Sequence, residues 1–154
     1  MQPIRFMCSA TIDKNAAAIS AEIADVTRWR EFTGYGPLPG ITCAEYERHT
    51  ANMVGSRIRV QNTDGSTHVE EITVWEPGVQ VAMRLGEFTP PLCYLATHFT
   101  EEWSFADDHG VTRVTRSFAL FPKYTVTRPL LWLIAQLFQR AIARHLANMA
   151  AAAP

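Results

Sequence analysis

From Thr127 to Ala150 the sequence keeps one helical period without a break. Leu131, Ile134, Ala135, Phe138, Ile142, His145, Leu146 and Met149 fall on one face of such a helix, and Arg140, Arg144 and Asn148 on the other. Pro129 is tolerated in the first turn, where its missing N–H has no partner to lose. Trp132, Leu133 and Leu137 stand off the stripe, so the first half is apolar almost all round. A long amphipathic helix must bury its stripe, and the concave face of an antiparallel sheet is the natural place. The segment Leu130 to Phe138 also leaves room for a second contact, with another copy of the chain or with a membrane surface. The run Pro129–Phe138 is too short to span a bilayer, and Arg140 and Arg144 follow it.

Strands come from the rest of the chain. Ile4, Phe6, Cys8, Ala10 and Ile12 alternate with Arg5, Ser9 and Thr11, which reads as a first strand. Asp13 or Asn15 caps an alanine-rich helix near Ala16 to Ala24. Asp25 or Thr27 caps a second short helix carrying Trp29 and Phe32, which TGYGPLPG then breaks. Strands dominate from Ile41 to Phe121, and three turns set their pairing. Asp64-Gly65 reads as a two-residue hairpin turn, placing Arg59 opposite Glu70 and Val60 opposite Val69. Pro77-Gly78 pairs Glu76 with Val79, hence Ile72 with Met83 and Glu71 with Arg84. Asp107 to Gly110, as a four-residue loop, sets Glu101 against Arg116, Phe99 against Phe118 and Trp103 against Val114. The face with Ile72, Val74, Val81, Met83 and Leu85 is the more apolar and is assigned inward.

A chain of 154 residues suits one domain, residues 1–154, with one core. At 47% hydrophobic and 19% charged it has enough apolar surface to fold. The net charge of -1 and the lack of a basic run leave no groove for nucleic acid. Cys8, Cys43 and Cys93 show no disulfide or metal spacing and read as reduced, mostly buried thiols. The N-terminus alternates instead of forming the apolar block of a signal peptide, so the cytoplasm is the expected location.

Several segments, in order, resemble one known group. AAAISAEIADVTRWREFTGYGPLPGI has a short helix, an aspartate and a tryptophan before a Pro/Gly loop. GSRIRVQNTDGSTHVEEITVWEPG reads as a hairpin ladder, HFTEEWSF and GVTRVTRSFALFP as the last two strands, and PLLWLIAQLFQRAIARHLANM as a closing helix. With these the chain resembles the START-like (SRPBCC) superfamily, in its polyketide cyclase/dehydrase and lipid-transport group. The resemblance implies a helix-grip fold: a curved antiparallel sheet of about seven strands around a long C-terminal helix, with two short helices after the first strand. It also implies a cavity between sheet and helix for a lipid-like, polyketide-like or aromatic molecule. It supplies no shared catalytic set, and fold alone does not settle function.

The candidate site residues follow from alternation and stripe position. Glu101 shares a face with Phe99 and Trp103, and Arg116 shares one with Phe118. A carboxylate and guanidinium among aromatics either orient a polar ligand group or simply pair across strands. Arg59 and Glu70 form a similar pair beside Met83. His145, on the helix stripe with Phe138, is either a proton donor or acceptor in the cavity or a packing residue. Trp29, Phe32 and Tyr46 line the cavity mouth or fill the core. His49, His68, His98 and His109 lack ligand spacing, so no metal is expected, and no cofactor motif or nucleophile elbow is present. Three functions remain open. The first is a binding protein for a small hydrophobic ligand. The second is a cofactor-independent cyclase or dehydratase using Glu101, Arg116 and His145. The third is an interaction protein using Leu130 to Phe138, for example as a homodimer.

Overall fold

The computed structural model describes residues 1–153. Seven strands form one antiparallel sheet: β1 (Ile4–Ile12), β2 (Ile41–Arg48), β3 (Arg57–Asn62), β4 (Thr67–Glu76), β5 (Gln80–Gly86), β6 (Ala96–Asp108) and β7 (Val111–Pro122). Their spatial order is β1-β7-β6-β5-β4-β3-β2. The chain therefore crosses from one edge to the other after β1, then returns by hairpins.

The crossing uses α1 (Ala16–Ala24) and a 3-10 turn, Val26–Glu31. Asn15 caps α1 by accepting the Ala18 N–H at 2.8 Å. Asp25 caps the 3-10 turn through the Thr27 N–H. Ala16, Ile19, Ser20 and Ile23 are the buried face of α1, at the spacing a single helix face requires. Ser20 Oγ also accepts the Gly78 N–H at 2.9 Å, which ties α1 to the β4–β5 turn. The loop after the 3-10 turn doubles back, with Tyr35 and Leu38 bonded to each other. Gly34 sits there at φ +77, and a Cβ would meet the Leu38 carbonyl oxygen at 2.3 Å, so only glycine fits.

The long helix α2 spans Arg128–Ala152, with Pro129 in its first turn. It buries Leu131, Ala135, Phe138, Ala141, Ile142 and Leu146. Leu130, Trp132 and Leu133 point outward and are about half exposed. The apolar start of the helix is thus split between core and surface. Among the described residues no helix is long and apolar enough to cross a membrane. The helix packs chiefly on β1 and β7, while the Val26–Glu31 turn packs on β2. The middle strands are bridged by neither backbone, and this geometry leaves a space between the layers.

Turn lengths correct the expected registers. The β3–β4 loop has three residues: Asn62 and Ser66 close it, and Gly65 at φ +86 donates its N–H to Asn62 O. Arg59 therefore faces Val69, Val60 faces His68, and Ile58 faces Glu70. In β4–β5, Glu76 pairs with Gln80 instead of Val79, but a bulge at Thr73 restores Ile72↔Met83 and Glu71↔Arg84. The bulge also turns Val74 away from the core and brings Trp75 against it, so Val74 was misassigned. The β6–β7 turn has two residues, with His109 at φ 54 and Gly110 at φ 85. Glu101 is consequently opposite Phe118, Trp103 opposite Arg116 and Phe99 opposite Leu120. Cys43 is exposed on edge strand β2, and Cys8 and Cys93 are half-buried, so the thiols are less buried than expected.

Candidate ligand-binding cavity

A cavity of about 370 Å³ lies between the middle strands, α2 and the α1–β2 crossing. Its wall is mostly apolar. Met83 and Leu85 come from β5, Phe99 and Trp103 from β6, and Phe138 and Ile142 from α2. Ile23, Trp29, Phe32 and Leu38 close it from the crossing. The Trp29 indole donates to Ile23 O at 2.9 Å, which fixes the ring against α1. The Leu38 loop, the Asp64 hairpin tip, the Phe88–Leu92 connection, Ile134 and Leu137 surround the rest of the space.

One strip of the wall is polar. Arg116 reaches inward from β7 and is 6% exposed. Its Nε donates to Glu101 Oε2 at 2.7 Å, and Nη2 lies 2.5 Å from the same oxygen. Glu101 and Arg116 are diagonal neighbours, because Arg116 sits opposite Trp103, two residues along. Arg116 Nη1 faces His145 Nδ1 at 2.9 Å. An arginine can only donate, so Nδ1 accepts and His145 Nε2 carries the ring proton. The guanidinium also lies 4.1 Å from the Trp103 ring centre, a cation–π contact. Burial, Arg116 and Arg28 push the His145 imidazole down to about 3, so it is neutral at physiological pH. Burial pushes the Glu101 carboxyl up, Arg116 pulls it down and Glu70 pushes it up again.

Glu70 and His68 complete the strip from β4. Glu70 is 7% exposed. Its ion-pairing neighbour among the described residues is His68, with Nε2 3.7 Å from Oε1, beyond hydrogen-bond distance. His68 Nε2 and Trp103 Nε1 are buried, and neither has a hydrogen-bond partner among the described residues.

Ten of the expected site residues lie on this wall: Trp29, Phe32, Glu70, Met83 and Phe99, then Glu101, Trp103, Arg116, Phe138 and His145. Three do not. Arg59 is on the outer face of β3, paired with Glu47, because the three-residue loop moved it by one register step. Tyr46 hydrogen-bonds Ala24 O at 2.7 Å and stacks on His49. Phe118 packs between Phe6 and Phe138, behind the wall. Sequence reasoning missed His68, although the two-residue period from Glu70 places both on one face. It also missed Leu38 and Phe88, which loops deliver and no period announces.

The family model for polyketide cyclase/dehydrase and lipid transport matches residues 3–154. Among curated proteins no sequence matches. Among solved structures, a START superfamily protein from Mycobacterium smegmatis superposes with a TM-score of 0.72 at 12% identity, covering 95% of this chain and 96% of that one. The Zhui aromatase/cyclase from Streptomyces sp. R1128 gives 0.73 at 13% identity, covering 96% and 93%. A protein from Thermus thermophilus gives 0.71 at 13% identity, covering 97% and 98%. At these identities the structural likeness shows the fold, a helix grip. With a family match over nearly its whole length, the chain belongs to the polyketide cyclase/dehydrase and lipid-transport family, and its sheet and gripping helix give it the helix-grip fold.

Proposed function

We propose that the chain binds a small, mainly apolar molecule, lipid-like or aromatic, between the sheet and α2. The observation that carries this is the cavity itself: about 370 Å³, apolar on most of its wall, with a few polar groups gathered on one strip. Small-molecule sites have this size and this composition. The family description names cyclases, dehydrases and lipid transport, and one similar structure is an aromatase/cyclase. Both support an apolar ligand. Native mass spectrometry of protein purified gently from its host tests the reading. A retained small molecule, or uptake of an added apolar dye, is expected. A protein that retains nothing and takes up no dye would sink the proposal.

A second reading is a cofactor-independent cyclase or dehydratase. It is favoured by the convergence of Glu101, Arg116 and His145 at one place on the wall. Here the raised carboxyl of Glu101 moves the proton, and Arg116 fixes its position. His145 acts only through its Nε2–H, since Nδ1 is taken by Arg116. Turnover of a substrate related to the retained molecule should fall in Glu101→Gln and His145→Ala. Unchanged turnover in both would remove this assignment of roles.

A further inference from the structure

The charged groups on the cavity wall say which polar head the ligand carries, given that the cavity binds a ligand at all. Five carboxylates line it, Glu22, Glu31, Asp64, Glu70 and Glu101, against two guanidiniums, Arg28 and Arg116. Both guanidiniums are engaged. Arg28 pairs with Glu22 and Glu31. Each nitrogen of Arg116 already faces Glu101 or His145. A ligand carboxylate or phosphate would therefore enter an excess of negative charge and find no free cation to meet it.

Glu70 is different. Its side chain is 9% exposed, and its carboxylate has no hydrogen-bond partner among the described residues. His68 Nε2, 3.7 Å from Glu70 Oε1, is likewise buried and unpartnered. Asn62 Nδ2 lies 3.3 Å from His68 Nδ1. The amide nitrogen donates, so Nδ1 accepts and Nε2 carries the proton. The wall thus offers the Glu70 acceptor, with the His68 Nε2 donor buried directly beside it. A hydroxyl satisfies both at once, donating to Glu70 and accepting from His68. An ammonium satisfies only the acceptor, and a carboxylate only the donor.

We infer that Glu70 and His68 form a hydroxyl-binding subsite, and that the ligand is an uncharged apolar molecule bearing an alcohol or phenol, not an acid. Buried polar groups of this kind discriminate strongly, because a ligand lacking the hydroxyl leaves both unpaired.

Three probes with one apolar body test the subsite: naphthalene, 2-naphthol and 2-naphthoate. Binding is followed at pH 7.5 by quenching of tryptophan fluorescence, since Trp29 and Trp103 line the cavity. The expected order places 2-naphthol about tenfold or more tighter than naphthalene, with 2-naphthoate weakest. In Glu70→Leu, which removes the acceptor, the naphthol advantage should shrink to within about threefold of naphthalene. If naphthalene binds but naphthol gains nothing, or if naphthoate binds best, the subsite is overturned and the cavity reading survives. If Glu70→Leu keeps the full naphthol advantage, the subsite is also overturned. If none of the three binds, both fail together. The wild-type comparison needs no variant to fold.

Discussion

At the scale of single residues, Arg116 has the most to hold. It neutralises Glu101, donates to His145 and covers Trp103, all inside a barely exposed space. Removing it leaves a buried carboxylate without a counter-charge. Arg116→Met should therefore cost about 3–5 kcal/mol in urea unfolding at neutral pH. Burial already pushes the Glu101 carboxyl up, and without Arg116 the main opposition to that push is gone. A raised carboxyl pKa means that the folded state binds the proton more tightly than the unfolded chain. The penalty in Arg116→Met should then shrink as pH falls into the carboxylate range, and a penalty that ignores pH would contradict this account. His145 works in the opposite direction. Its folded pKa of about 3 lies below the ordinary 6.5, so the unfolded chain takes up the proton first. Wild-type stability should fall by up to about 1.4 kcal/mol per pH unit below 6.5 from this residue alone. His145→Gln should flatten the loss measured between pH 7.5 and 4.5; parallel profiles would exclude His145 as the cause. Most of the site was legible at this scale, because Glu101, Trp103 and Arg116 declare themselves as charge and ring on apolar strands. Arg59 was not, since its inward placement rested on the length of one loop.

Elements decide what single residues cannot. A one-residue error in a hairpin loop reverses every side chain on the strand, whereas a two-residue error keeps the faces. The β3–β4 loop shows the first case: Gly65 takes the third loop position, and Arg59 moves outside. The β6–β7 turn shows the second: the register moved by two, and Glu101 still meets Arg116, now diagonally. The β4–β5 hairpin is a third case, in which a longer turn and the Thr73 bulge cancel at Ile72↔Met83. Composition reveals the turns, but the bulge has no sequence mark of its own, so the strand faces beyond it were unreadable. The His109-Gly110 turn requires positive φ at both positions. Gly110→Ala should destabilise the protein by about 1 kcal/mol in thermal or urea unfolding. Ligand uptake should not change, because the turn is not part of the cavity wall. A loss of uptake in a folded Gly110→Ala would mean that the β6–β7 register reaches the site.

For the whole molecule, the cavity follows from where the helices do not lie. The long helix covers β1 and β7, the 3-10 turn covers β2, and the middle strands are left to side chains and space. Interiors normally close such gaps, since an unfilled volume forgoes packing contacts. Here the gap is kept apolar, and Leu85, at the centre of the wall, pairs with Glu70 on one side and Phe99 on the other. A larger side chain at that position has room to enter the cavity without displacing a strand. Leu85→Trp should thus fold with stability within about 1.5 kcal/mol of the wild type, as a substitution that fills existing space does. It should also abolish binding of any apolar probe. A ligand that binds only the folded state stabilises it by about 2.7 kcal/mol at a concentration of 100 times Kd. The wild type should show that gain with a bound probe in urea unfolding, and Leu85→Trp should show none at the same concentration. If both proteins gain equally, the probe sits elsewhere, and the space between helix and sheet is not the binding site.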